Sequence, residues 1–172
     1  MAPDTLRVEI RLPFGQGQIG GRWTPDARER EAAWDMYVEL VTGTSLAELR
    51  PESSLRDAVA SLSGLAVTIR RMLRRHGPAI ARPKNDELTF AWVAVAMLNR
   101  VLRPFLTRWQ PLLADWERRR PEGVSALEHE RRWDRHEELR QGINAVREVL
   151  VAFADMLADA AGVVHLPTDR ED

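Results

Sequence analysis

The side chains that could do chemistry in this chain are histidines, carboxylates and arginines, because it has no cysteine. Thiolate nucleophiles, disulfides and cysteine-based zinc or iron–sulfur sites are thereby excluded. Two of the four histidines, His129 and His136, stand seven positions apart with Trp133 between them. On one helix that is two turns, a rise of about 10.5 Å, too far for one metal ion to bridge both without another element. No histidine has a glutamate three positions before it, as a di-iron bundle requires. After His129-Glu130, Trp133 stands where the zincin pattern needs its second histidine. No metal site and no cofactor is expected. Gly15, Gly17 and Gly20 have the G-x-G-x-x-G spacing of a phosphate cradle. That cradle works only when a helix begins inside the motif and aims its N-terminus at the phosphate. Here the helical signal starts later, at Pro25, and no strand or kinase-type catalytic loop follows. A glycine-rich hairpin turn is the better reading.

Arg131 precedes His136 by five positions, and Arg70 and Arg71 precede His76 by six and five. An arginine four to six residues ahead of a histidine is the motif of the HEPN ribonucleases, which are helical bundles. Arg131 and His136 are the residues an RNA-cleaving reading would use. Arginine is so frequent here that chance yields about as many matches as are found. His76 also closes a helix, where its charge suits the dipole. Ribonuclease activity therefore stands as an alternative, and a non-catalytic chain as the first expectation.

The densest basic cluster is Arg70, Arg71, Arg74, Arg75, Arg82 and Lys84. With Trp109 or Trp116 stacking beside it, it would form a nucleic-acid surface. The favoured reading is a solvated face paired with Glu31, Asp35 and Glu39. Residues 66–110 carry nine basic and two acidic side chains, net +7, in a chain whose net charge is −1. Acidic outer segments packing around a basic middle one account for that contrast. Lys84 is the only lysine, and a GC-rich coding sequence is the simplest reason. The sharper alternative is selection for bidentate anion recognition by guanidinium.

The elements that must position these residues read mainly as helices. Leu6, Val8, Ile10 and Leu12 alternate with polar residues, and with the glycine-rich turn they predict a β-hairpin over 5–23. Thr24-Pro25-Asp26 predicts a first helix over 25–42, with Trp34, Tyr37, Val38 and Val41 facing inward. A second spans 54–76, from a serine cap to Gly77-Pro78. A third spans 86–117. Its stretch Phe90–Leu98 is apolar all round, which places it at the centre of a core. Pro104 predicts a kink or break near 100–104, and an Arg103 guanidinium could satisfy carbonyls freed there or meet a partner carboxylate. A fourth helix spans 125–161, opened by a Ser125–Glu128 capping box. Residues 167–172 read as a disordered acidic tail. The expected fold is a mainly α, four-helix bundle-like single domain (1–166) with a kinked third helix and a small N-terminal hairpin. As a helix, residues 90–98 would rise only about 13–14 Å, against roughly 20 residues needed to span a bilayer. No membrane span is expected, and with no signal-peptide pattern the expected compartment is the cytoplasm.

The stretches AAWDMYVELVT, SLRDAVASLSGL, AVAMLNRVLRPFLTRWQPLL and SALEHERRW resemble a group of uncharacterised, actinobacterial-type helical proteins. The resemblance covers most of residues 7–162. It implies a helical fold and an association with multi-gene, defence-type bacterial systems. Its shared stretches look like packing patterns, so it implies no catalytic residues. The functional expectation is a non-catalytic helical interaction module that presents a surface near the kinked third helix. The partner would be a protein or a second copy of the chain. Trp109 and Trp116 are the expected aromatic anchors, with Arg103 beside them. Nucleic-acid binding through the 70–84 cluster is the other alternative.

Overall fold

The computed structural model describes residues 5–168, so all but the start of the expected tail lies outside the described residues. The fold is mainly helical with one antiparallel hairpin, β1 (Leu6–Arg11) and β2 (Gln18–Trp23), paired Leu6↔Trp23 through Arg11↔Gln18. The helices are α1 (Ala27–Thr42), α2 (Leu55–His76), α3 (Phe90–Ala96), α4 (Arg103–Arg118), α5 (Ala126–Arg131) and α6 (His136–Ala161). Leu6, Val8, Ile10 and Leu12 are buried, as their period of two requires. The hairpin lies on α6, which also packs along α1, while α2 packs against α1 and α4.

Helix α1 begins two residues later than expected. Asp26, not Thr24, is its cap: its carboxylate accepts from Glu29 N at 2.9 Å, and Glu29 returns a bond to Asp26 N at 2.9 Å. Its inward face is Ala32, Ala33, Met36, Tyr37 and Leu40, whereas Trp34 is exposed. Helix α2 starts on Ser54, whose hydroxyl accepts from Asp57 N at 3.2 Å, and closes at Gly77.

The third rod differs from expectation at its start, while the irregularity expected near 100–104 takes the form of a π-helical turn. It starts at Phe90, capped by Thr89, because the preceding segment is tied to the hairpin edge: Leu88 N donates to Arg22 O at 2.8 Å. It does not break at Pro104. Met97–Leu102 instead forms a π-helical turn, in which Arg103 N bonds Leu98 O five residues back, and α4 continues from there. Proline lacks a donor and crowds the carbonyl four residues behind it, and a wider turn just ahead of it absorbs both defects. Phe90–Leu98 is apolar all round but not buried all round. Trp92 (43% exposed) and Val95 (40%) stand one turn apart on the solvent side.

The expected helix over 125–161 is two helices. His129 and Glu130 on α5 and Trp133 in the break at 132–135 are all buried. Glu130 then caps α2 from outside, accepting from Leu55 N at 2.8 Å and Arg56 N at 3.0 Å.

The core contains one buried carboxylate with four donors. Glu29 accepts from Trp23 Nε1 at 3.1 Å, Phe90 N at 2.9 Å, Asp26 N and Lys84 Nζ. Glu29→Ala is expected to destabilise the fold by about 3–5 kcal/mol, since Lys84 and two buried N–H groups lose their acceptor. Lys84→Met should cost less, because three N–H donors still hold the carboxylate. Urea unfolding of both variants checks this, and a loss below about 1 kcal/mol for Glu29→Ala would contradict it.

Candidate functional site

The outward side of the third rod carries two adjoining depressions. The first, about 430 Å³, lies between the hairpin turn, the π-turn and α6. Its apolar wall includes Phe14, Val101, Pro104, Phe105 and Trp109, and its polar groups include Arg100, Arg108, Glu138 and Gln141. That size falls in the usual range for ligand or side-chain pockets. Phe14 stands at its rim with φ 60° and ψ 31°, 64% exposed. A bulky residue in the left-handed region is uncommon and is held there by its surroundings, here the Pro13–Gly15 turn. Gly142 on α6 lets the floor close: a Cβ there would meet Phe105 Cε2 at 3.1 Å.

The electrostatics of this cleft are settled on one side and open on the other. Glu138 accepts from Arg108 at 2.6 Å and from Arg135 at 3.1 Å, and both guanidiniums lie 5.0 Å from the Trp109 ring centroid. The hydrogen bond from Arg135 holds the Glu138 carboxyl below its ordinary range, with the Arg135 and Arg108 charges adding to it. Arg135 is held above its own ordinary value chiefly by the same bond. Arg100, across the cleft, has no carboxylate partner among the described residues and lies 5.4 Å over the Trp92 ring. The second depression, about 420 Å³, runs along α3 past Ala81, Trp92, Val95 and Asn99 and ends on the same Arg100.

The residues expected to form interfaces are placed differently. Trp109 is 3% exposed and packs edge-on against Trp133, so it is a wall of the cleft and not an exposed anchor. Trp116 is half-buried and stacked on His129 with ring centroids 4.4 Å apart. Its Nε1 donates to His129 O at 2.8 Å, while His129 Nε2 sits 2.7 Å from Trp116 O. Both rings are engaged inside the fold and offer no stacking platform to the basic cluster. Arg103 is exposed, and its side chain bonds no carbonyl at the π-turn.

The basic cluster is divided. Lys84 is turned to Glu29 and to Thr24 O at 2.6 Å. Arg75 lies 3.9 Å from Asp35, whose carboxylate is 2.7 Å from His76 Nε2. Arg70, Arg71, Arg74 and Arg82 are exposed, with no carboxylate partner among the described residues. The expected pairing with Glu31, Asp35 and Glu39 is thus limited to Asp35; Glu31 faces Arg28 at 3.8 Å. Arg131 is exposed at the end of α5, and His136 opens α6 with Nε2 3.9 Å from Glu130.

Sequence reasoning missed Phe14, Trp92 and Val95. Trp92, Val95 and Asn99 form an i, i+3, i+7 stripe, but a run with no polar residue hides which face is outward. Phe14 had no signal beyond its glycine-rich neighbours. Among the described residues no helix is long and apolar enough to cross a membrane, and no group of three metal-ligating side chains is present.

If Arg135 sets the Glu138 titration, then Arg135→Gln should raise the Glu138 pKa toward the ordinary glutamate value. Carboxyl carbon NMR across a pH series reads this directly, and an unmoved Glu138 would show that Arg108 alone sets it. No family model, no curated protein and no solved structure matches this chain, so its functional reading rests on the chemistry of this surface.

Proposed function

We propose that the chain is a non-catalytic helical module that binds another protein, as a subunit of a multi-protein bacterial system. The docking face runs from Phe14 across Arg100 to Trp92 and Val95. The observation that carries this reading is Arg100, which lines both depressions and has no carboxylate partner among the described residues. Single exposed apolar residues are ordinary. Two exposed aromatics flanking an unpaired arginine, with a pocket beneath one of them, are the residue types and shape that anchor protein interfaces.

The same cleft is poorly suited to acid–base catalysis. A general acid at neutral pH needs a carboxyl pushed up, and Glu138 is pushed down by Arg135. The other carboxylates near candidate histidines have structural duties: Glu130 caps α2 and Asp35 meets His76.

The test is to tag the chain and its Phe14→Ala/Trp92→Ala variant in the cells they come from and to quantify the proteins that co-purify. A stoichiometric partner is expected with the unaltered chain. It should be weakened roughly thirtyfold in the variant, corresponding to about 2 kcal/mol of anchor energy, with Tm within a few degrees. Equal retention by both forms would sink the reading. So would RNA cleavage that disappears in His136→Ala.

A further inference from the structure

We infer that the partner segment is acidic: a peptide stretch whose apolar side chain enters the cleft or groove and whose flanking carboxylates meet Arg100, Arg82 and their neighbours. This deepens the docking reading above and rests on it. The argument begins with which arginines the chain neutralises itself. Arg108, Arg118, Arg119, Arg132 and Arg135, on α4 to α6, each face a carboxylate of the same chain. Arg100, the arginine that lines the groove, is not neutralised in this way among the described residues, as Arg7, Arg11, Arg22, Arg120 and Arg131 elsewhere are not. Arg70, Arg71, Arg74, Arg82, Arg100 and Arg103 have no carboxylate partner among the described residues. They fall in the stretch 66–110, which carries net +7.

Of these arginines, Arg100 lines the groove and Arg82 stands next to one of its lining residues. Arg82 directly follows Ala81, which lines the groove opposite Arg100. Residues 77–81 form a 3-10 turn packed on α1, α2 and α3, and this turn carries the chain from the cationic end of α2 to Ala81 at the groove. The floor between these cations is apolar, built from Ala81, Ala91, Trp92 and Val95. A cluster of unpaired like charges repels itself, and a partner of opposite sign relieves that repulsion on binding.

Two other occupants fit less well. A second copy paired through this face by a two-fold axis would set arginines against the same arginines. A nucleic acid would leave the Val95 and Ala91 surface uncovered by anything apolar. One face of the Trp92 ring, where a base would stack, is already taken by Arg100 at 5.4 Å.

The experiment pans a random peptide library over the folded chain, with Phe14→Ala/Trp92→Ala and Arg82→Glu/Arg100→Glu variants as counter-targets. Peptides rich in Asp and Glu around an aromatic or aliphatic residue are expected. A resynthesised binder should weaken about tenfold or more in the Arg82→Glu/Arg100→Glu variant and lose affinity from low to high salt. It should bind Arg131→Glu as it binds the unaltered chain. Neutral or basic peptides that still depend on Phe14 and Trp92 would overturn this inference and leave the docking face standing. No enrichment that depends on those two residues would overturn both. Tighter binding of single-stranded oligothymidylate, lost in Arg82→Glu/Arg100→Glu, would assign the face to nucleic acid. A dimer by light scattering that dissociates in that variant would assign it to a second copy.

Discussion

The Glu29 carboxylate is the constraint on which the positions of the other elements depend. It is 1% exposed, and its donors come from four separate places: the end of β2, the start of α1, the loop at Lys84 and the first residue of α3. A buried carboxylate is tolerable only when its desolvation is repaid by several charged or N–H donors at once, so none of the four segments can move independently. Through Phe90 N it sets where the third rod begins, and so which face of α3 points outward. Trp92 and Val95 are exposed as a consequence of that register.

Glu130 does the corresponding work at the other end of the bundle. Accepting from Leu55 N and Arg56 N, it anchors the start of α2 to the chain just before α6. The Trp116–His129 exchange of hydrogen bonds ties the same place to α4. Both carboxylates add to the local caps Ser54 and Thr89. The acceptor for Leu55 N, Arg56 N and Phe90 N comes from a residue far away in sequence, so no spacing near those helix starts announces it.

That difference explains what was legible in the sequence. The hairpin, α2 and the mainly helical class follow from periodicity and nearby caps, and they are read at residues such as Val8, Ser54 and Gly77. The start of α3 was placed too early because Leu88 pairs with Arg22, a contact across the fold. The break before α6 was invisible because Glu130 answers α2, and the exposed face of Trp92 because its neighbours are all apolar. Residue type and a place near the bent third helix mark Trp109 and Trp116 as anchors in the sequence. Type does not distinguish a tryptophan whose ring packs against Trp133 from one left in water.

The π-turn then gives the surface its shape. Pro104 makes a regular helix costly at this point, and the wider turn at Met97–Leu102 keeps the rod continuous without leaving Arg103 N unbonded. Met97, Leu98, Val101 and Leu102 stay buried through it, so the irregularity costs the core nothing visible. On the outside, Arg100 stands within the turn, between the cleft under Phe14 and the groove past Trp92. A proline tolerated in mid-helix, a phenylalanine in the left-handed region and an arginine with no carboxylate partner among the described residues are three local departures from what stability alone favours. They meet on one face, and departures of this kind concentrate where a surface is shaped for binding.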